Sequence, residues 1–186
     1  MNATSPRTAS AAAAPDWAGS ATALGAPPAA VDWLTEPGLL TERVRGRCPD
    51  AFGLRIVEER RDVLEPADAR VLGAADRPCF VREIELTCGG SAVVFAQTLV
   101  PAATLAAEPW LAELGTEALG PRLARTRHAR REPFEFARLD PPHALYRRAW
   151  RGLGPRPGAL WARRALYRLG PQSLVVQEVF LPEAPA

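Results

Sequence analysis

Lysine does not occur in this chain: all 23 basic residues are arginine, set against 21 carboxylates in 186 residues. That imbalance, beside abundant Ala, Gly and Pro, reads as a coding bias, so a single arginine carries less functional weight than usual. Net charge is only +2, too little to argue for a nucleic-acid or membrane partner. Cysteine is scarce as well. Cys48, Cys79 and Cys88 form no CxxC or Cys/His cluster, and with two histidines in the chain a zinc site has no support. An odd number of unclustered cysteines reads as reduced, structural thiols. No apolar run approaches the roughly 20 residues of a membrane span. P-loop, GxGxxG and GxSxG patterns are missing. His128 sits among arginines and His143 follows Pro141-Pro142. Neither has a nucleophile nearby in sequence, so a hydrolase triad finds no support.

The chain has the size and apolar fraction, 47%, of one globular domain with a substantial core. Residues 1–30 are rich in Ala, Ser, Thr and Pro and read as a flexible tail. They hold no compact apolar segment behind a basic start, which points to a cytoplasmic protein. The domain is expected over residues 31–186. Asp32 is placed to cap a short helix and Pro37 to open the next, with Leu39, Leu40 and Val44 inward. Phe52 to Arg61 suggests a strand. Phe80–Thr87 and Ala92–Val100, joined through Gly89-Gly90, predict a β-hairpin. Residues 102–125 fit short helices broken at Pro109, Gly115 and Gly120-Pro121. Strand patterns return at Pro133–Leu139, at Ala144–Arg151 or Leu160–Leu169, and at Ser173–Leu181. Without regular βαβ alternation, this predicts an α+β fold, an antiparallel sheet covered by helices on one face.

Three strands each carry a polar side chain in apolar company. Arg82 alternates in phase with Phe80, Ile84 and Leu86; Gln97 with Val93, Phe95 and Leu99; Glu178 with Leu174, Val176 and Phe180. A buried guanidinium cannot shed its proton and requires an anion. Periodicity leaves two sources: a protein carboxylate, Glu178 first among them, or a small anionic, hydroxylated ligand in a dry pocket. The clusters Arg122, Arg125, Arg127, Arg130, Arg131 and Arg147, Arg148, Arg151, Arg163, Arg164 read as solvated basic faces.

Asp32-Trp33-Leu34, Leu40-Thr41, Val81-Arg82-Glu83-Ile84, Thr98-Leu99-Val100-Pro101, Leu114-Gly115, Leu119-Gly120 and Glu178-Val179-Phe180-Leu181-Pro182 occur in the order and approximate spacing of bacterial chorismate lyase. The chain resembles that family from about Val31 to Pro182. The resemblance implies a single domain with a six-stranded antiparallel sheet, helices on one face and an active site under helical flaps. It implies cleavage of chorismate to 4-hydroxybenzoate and pyruvate by a cofactor-independent, metal-free monomer, the first step of ubiquinone ring synthesis. By the same resemblance Arg82 binds the ring carboxylate and Glu178 contacts the hydroxyl end, as base or as orienting group. Main-chain atoms at Leu40 and Leu119 complete the site. Where the family pattern carries an arginine before the Thr-Leu-Val-Pro strand end this chain has Gln97, so Gln97 is a binding candidate and the holder of the second carboxylate stays open. The alternative from another class is a non-catalytic small-aromatic-acid sensor of the same fold, for which residues 1–30 offer no winged-helix partner.

Overall fold

A computed structural model describes residues 16–74, 77–151 and 157–182. Two short helices, α1 (Pro28–Leu34) and α2 (Leu40–Arg47), precede strand β1 (Phe52–Val63) and α3 (Pro66–Leu72). Strands β2 (Pro78–Cys88) and β3 (Ser91–Pro101) form the expected hairpin. Gly89 and Gly90 both take positive φ, 59° and 85°. That is the demand of a two-residue turn whose twist matches the flanking strands. Then come α4 (Ala102–Ala107), a 3-10 turn (Pro109–Ala112), α5 (Leu119–Arg125), β4 (Ala129–Arg131), β5 (Glu135–Leu139), α6 (Ala144–Ala149), β6 (Leu160–Leu169) and β7 (Gln172–Phe180).

All strand pairs are antiparallel, in the order β1-β2-β3-β7-β6-β4, with β5 also on β6. The sheet therefore has seven strands where six were expected, yet it is six strands wide. Strand β4 pairs with Tyr167–Leu169 and β5 with Leu160–Arg164, so the two lie end to end along one edge of β6. Pro133, which has no N–H to give to a ladder, separates them.

Helices cover both faces, not one. On one face α1 and α2 pack Trp33, Leu34, Leu40 and Val44 on Ile84, Leu86, Val94 and Phe180. The α4–α5 segment continues that layer, with Leu105, Leu119 and Leu123 against Phe80, Val100 and Leu174. On the other face α6 packs Leu145 and Tyr146 on Phe95 and Val179, and α3 packs Ala69 and Leu72 on Val81 and Val175. This double cover explains why β7 is apolar on both sides.

Several local expectations shift. Ordered chain reaches back before Val31: Ala18 bridges Phe136 and Ala21 is buried, while residues 1–15 of the expected tail lie outside the described residues. Asp32 lies inside α1, whose cap position is Pro27, and α2 starts at Leu40, not Pro37. Gly120-Pro121 does not break a helix but opens α5, because a first-turn proline gives up no helical hydrogen bond. Ala144–Ala149 is helical, capped by the His143 ring accepting from Leu145 N. Cys48 and Cys88 are not reduced thiols. They form a disulfide across a separation of 40 residues, joining the end of α2 to the end of β2, and Cys79 remains a buried free thiol. Spacing gave no hint of this pair, since the hairpin and α2 meet only in the fold.

Candidate active site

One face of the sheet carries Phe80, Arg82, Ile84 and Leu86 from β2, facing Val100, Thr98, Ala96 and Val94 of β3. The same rows continue through Val176, Glu178 and Phe180 of β7 to Ala165, Arg163 and Trp161 of β6. Over this face lies a cavity of about 60 Å³. Arg82 and Glu178 both line it, two strands and two residues apart, or about 12 Å between Cα atoms at ~4.8 Å per strand and ~3.3 Å per residue. With both side chains reaching inward, the gap suits a single ring bearing an acid at one end and a hydroxyl at the other.

At one end Arg82 is 2% exposed. Its protein carboxylate is Glu59 (Nε to Oε1, 2.9 Å), not Glu178. A bulge in β1 between Ile56 and Glu58 moves Glu59 opposite Arg82. Nη2 donates to the carbonyls of Gly115 (2.7 Å) and Glu117 (3.2 Å). Burial lowers the Arg82 pKa, opposed by Glu59, and the guanidinium stays charged. Glu59 is part-exposed, so its neutralisation of Arg82 is diluted by water and a ligand carboxylate is still attracted.

At the other end Glu178 accepts from Arg163 Nε at 2.5 Å. Arg163, 1% exposed, also donates to the carbonyls of Leu34 (3.2 Å) at the end of α1 and Glu36 (2.8 Å) just after it. The Phe134 ring has Arg163 on it at 4.2 Å and Arg131 also at 4.2 Å. Arg131 is the cross-strand partner of Tyr167, and both line the cavity. Burial, reinforced by the Glu178 charge, pushes the Tyr167 phenol up, with Arg131 and Arg163 pulling it back only in part. Its hydroxyl therefore keeps its proton and can donate.

Two flaps roof the cavity: Gly38–Thr41 entering α2, and Ala118–Gly120 entering α5. Leu40 and Leu119 are each the first residue of their helix. There the backbone N–H has no partner within the helix, so main-chain contacts from both positions are open to a ligand. The flaps touch: a Cβ on Gly120 would stand 3.3 Å from Leu39 Cδ2.

The sequence profile of the family described as Chorismate lyase matches residues 14–185. The chain belongs to the chorismate lyase family. It is 43% identical over 152 residues to a probable chorismate pyruvate-lyase of Dechloromonas aromatica, spanning 81% of this chain and 85% of that one. With the Azoarcus sp. protein of the same description it shares 39% over 157 residues, 81% and 82% of the two chains. Among solved structures, PhnF from Mycobacterium smegmatis matches with a TM-score of 0.60 at 18% identity, covering 82% of this chain and 67% of PhnF. A GntR-family regulator from Bacillus cereus matches at 0.56 and 12%, over 74% and 96%. At such identities these two likenesses concern the fold alone.

For this chorismate lyase family member, four of the five expected site residues, Arg82, Glu178, Leu40 and Leu119, line one cavity. Gln97 does not. It sits in the row of Glu83 and Gln177, on the opposite face, and donates to Glu83 Oε1 at 2.7 Å. Because both faces of β3 are buried, its apolar neighbours gave its company but not its side. Glu83, 0% exposed, is also bonded by Arg148 and Arg151, with Arg60 3.3 Å away. Arg148 is thus a part-exposed ion-pair partner and not simply part of a basic face. Arg163 and Arg164 are buried too, Arg164 on Glu135 at 2.7 Å. Among the described residues Arg163, Arg131, Tyr167, Thr41 and Thr98 are the cavity's polar residues that sequence reading missed. Arg163 carries the same signal as Arg82, alternating with Trp161, Ala165 and Tyr167, but the adjacent Arg164 masks it. Among the described residues no group of three or more His, Cys, Asp or Glu could hold a metal ion, and no helix is long and apolar enough to cross a membrane.

Proposed function

We propose that this chain is a chorismate pyruvate-lyase, a carbon–oxygen lyase that converts chorismate to 4-hydroxybenzoate, the ring precursor of ubiquinone, and pyruvate. The observation that carries the reading is the placing of Arg82 and Glu178 at opposite ends of one flap-covered cavity. Arg82 meets the ring carboxylate, where a planar guanidinium matches a planar acid. Glu178 meets the hydroxyl-bearing carbon at the far end. Arg163 donates to Oε2 of Glu178, which leaves Oε1 to take the ring proton. As the C–H electrons enter the ring, the neighbouring C–O bond breaks and enolpyruvate departs. The ring becomes aromatic, and the proton returns to enolpyruvate as it becomes pyruvate. The protein's share is orientation, exclusion of water beneath the flaps, and neutralisation of the departing charge.

The test is incubation with chorismate, following 4-hydroxybenzoate and pyruvate in equal amounts. Absent turnover with retained 4-hydroxybenzoate binding would leave a sensor of the same fold. Arg82→Ala should weaken 4-hydroxybenzoate binding by about tenfold to a hundredfold, the loss expected for a charged hydrogen bond, and abolish measurable turnover. A monomeric state and a cytoplasmic location belong to the same proposal; light scattering and cell fractionation test them.

A further inference from the structure

Chorismate carries a second carboxylate, on an enolpyruvyl group attached beside the hydroxyl-bearing carbon. If Arg82 holds the ring acid and Glu178 faces the hydroxyl, that second acid must lie at the Glu178 end of the cavity, to one side of it. Among the described residues three arginines line the cavity: Arg82, Arg163 and Arg131. Arg82 is matched by Glu59 and Arg163 by Glu178. Arg131 forms no ion pair with a carboxylate among the described residues; Nη2 donates to the Pro37 carbonyl at 2.9 Å and its guanidinium stacks on Phe134. Directly across the ladder stands Tyr167, the cavity's one phenol.

We propose that Arg131 and Tyr167 form the anchor for the enolpyruvyl carboxylate, the holder of which the sequence pattern left open at Gln97. This rests on the chorismate pyruvate-lyase reading and deepens it. Several features favour the pair. Arg131 supplies a positive charge with no protein carboxylate to satisfy it. Its ring contact with Phe134 holds the guanidinium plane while leaving in-plane donors for a carboxylate. Tyr167 adds a neutral donor beside it. Arg131 also bonds the chain at Pro37, immediately before the Gly38–Thr41 flap, so the residue that binds the leaving group also steadies the flap above it. The product 4-hydroxybenzoate has no enolpyruvyl carboxylate, and this separates an anchor from a general wall of the cavity.

The experiment compares chorismate with 4-hydroxybenzoate on the full chain. Arg131→Ala should raise KM for chorismate by about tenfold to a hundredfold, the range for losing a charged hydrogen bond, while the 4-hydroxybenzoate Kd stays within about twofold. Tyr167→Phe should raise chorismate KM by a smaller factor with the product Kd again unmoved. Unchanged 4-hydroxybenzoate binding also reports that both variants are folded. Equal weakening of the two ligands would overturn the anchor and leave a flap support, and an unchanged chorismate KM in Arg131→Ala would overturn it outright. Should the wild-type chain fail to turn chorismate over, the lyase reading falls. The same ratio, taken from equilibrium titration of both ligands, then judges the anchor by itself.

Discussion

Glu83 shows how a charge becomes part of a core. Burial alone would push its carboxyl up, but hydrogen bonds from Arg148 and Gln97 and the charges of Arg148 and Arg60 outweigh that and hold it below the usual range. A folded value below the unfolded one, near 4.5, means the stabilisation is whole above that pH. It is lost as pH falls through the folded value. Acid titration of the wild type should therefore show a stability loss below about pH 4.5 that Glu83→Gln flattens. At neutral pH Glu83→Gln should cost about 2 kcal/mol by denaturant melt, less than a fully buried pair because Arg148 and Arg151 are part-exposed. A neutral substitution would mean the arginines are satisfied by water instead. Arg82, by contrast, was legible in the sequence as inward-facing, but its carboxylate was not. The β1 bulge that brings up Glu59 leaves no pattern in β2, and the flap carbonyls of Gly115 and Glu117 are 33 and 35 residues away in sequence.

Elements here were read best where their cause is local. The β2–β3 hairpin follows from two glycines between two alternating runs, and it formed as expected. Boundaries of α1 and α2 were missed because neither helix has a side-chain cap hydrogen bond; packing on the sheet places them. The disulfide belongs to this scale, tying the end of flap helix α2 to β2. Closing a loop of that length stabilises by about 4 kcal/mol in the chain-entropy account. Cys48→Ser, or reductant added to the wild type, should lower the melting temperature, whereas Cys79→Ala should not respond to reductant differently from wild type. Identical melting with and without reductant would show the bond to be energetically idle.

Across the whole molecule, a sheet covered on both faces encloses its cavity beneath two touching flaps, one leading into α2, whose far end carries the Cys48–Cys88 bond, and one held by Arg82. A cavity so closed holds its aromatic product, and product release should be the slow step. Rapid mixing with saturating chorismate should give a burst of 4-hydroxybenzoate close to the enzyme concentration. Gly120→Val, which drives a side chain into Leu39 and parts the flaps, should shrink the burst and raise the steady rate. A linear time course in the wild type would place the slow step in the chemistry.

Alternation by itself determined which residues share a strand face, and so which charges stand among hydrophobes. That is a period-two property of each strand, independent of the others. Only the tertiary structure decided which faces point the same way and which strands adjoin. It set Arg82, Glu178, Arg163 and Tyr167 on one side and Gln97 with Glu83 on the other. The physical reason is the double cover: with apolar packing required on both faces, hydrophobicity no longer tells one side of the sheet from the other. Strand order and register alone could make that choice.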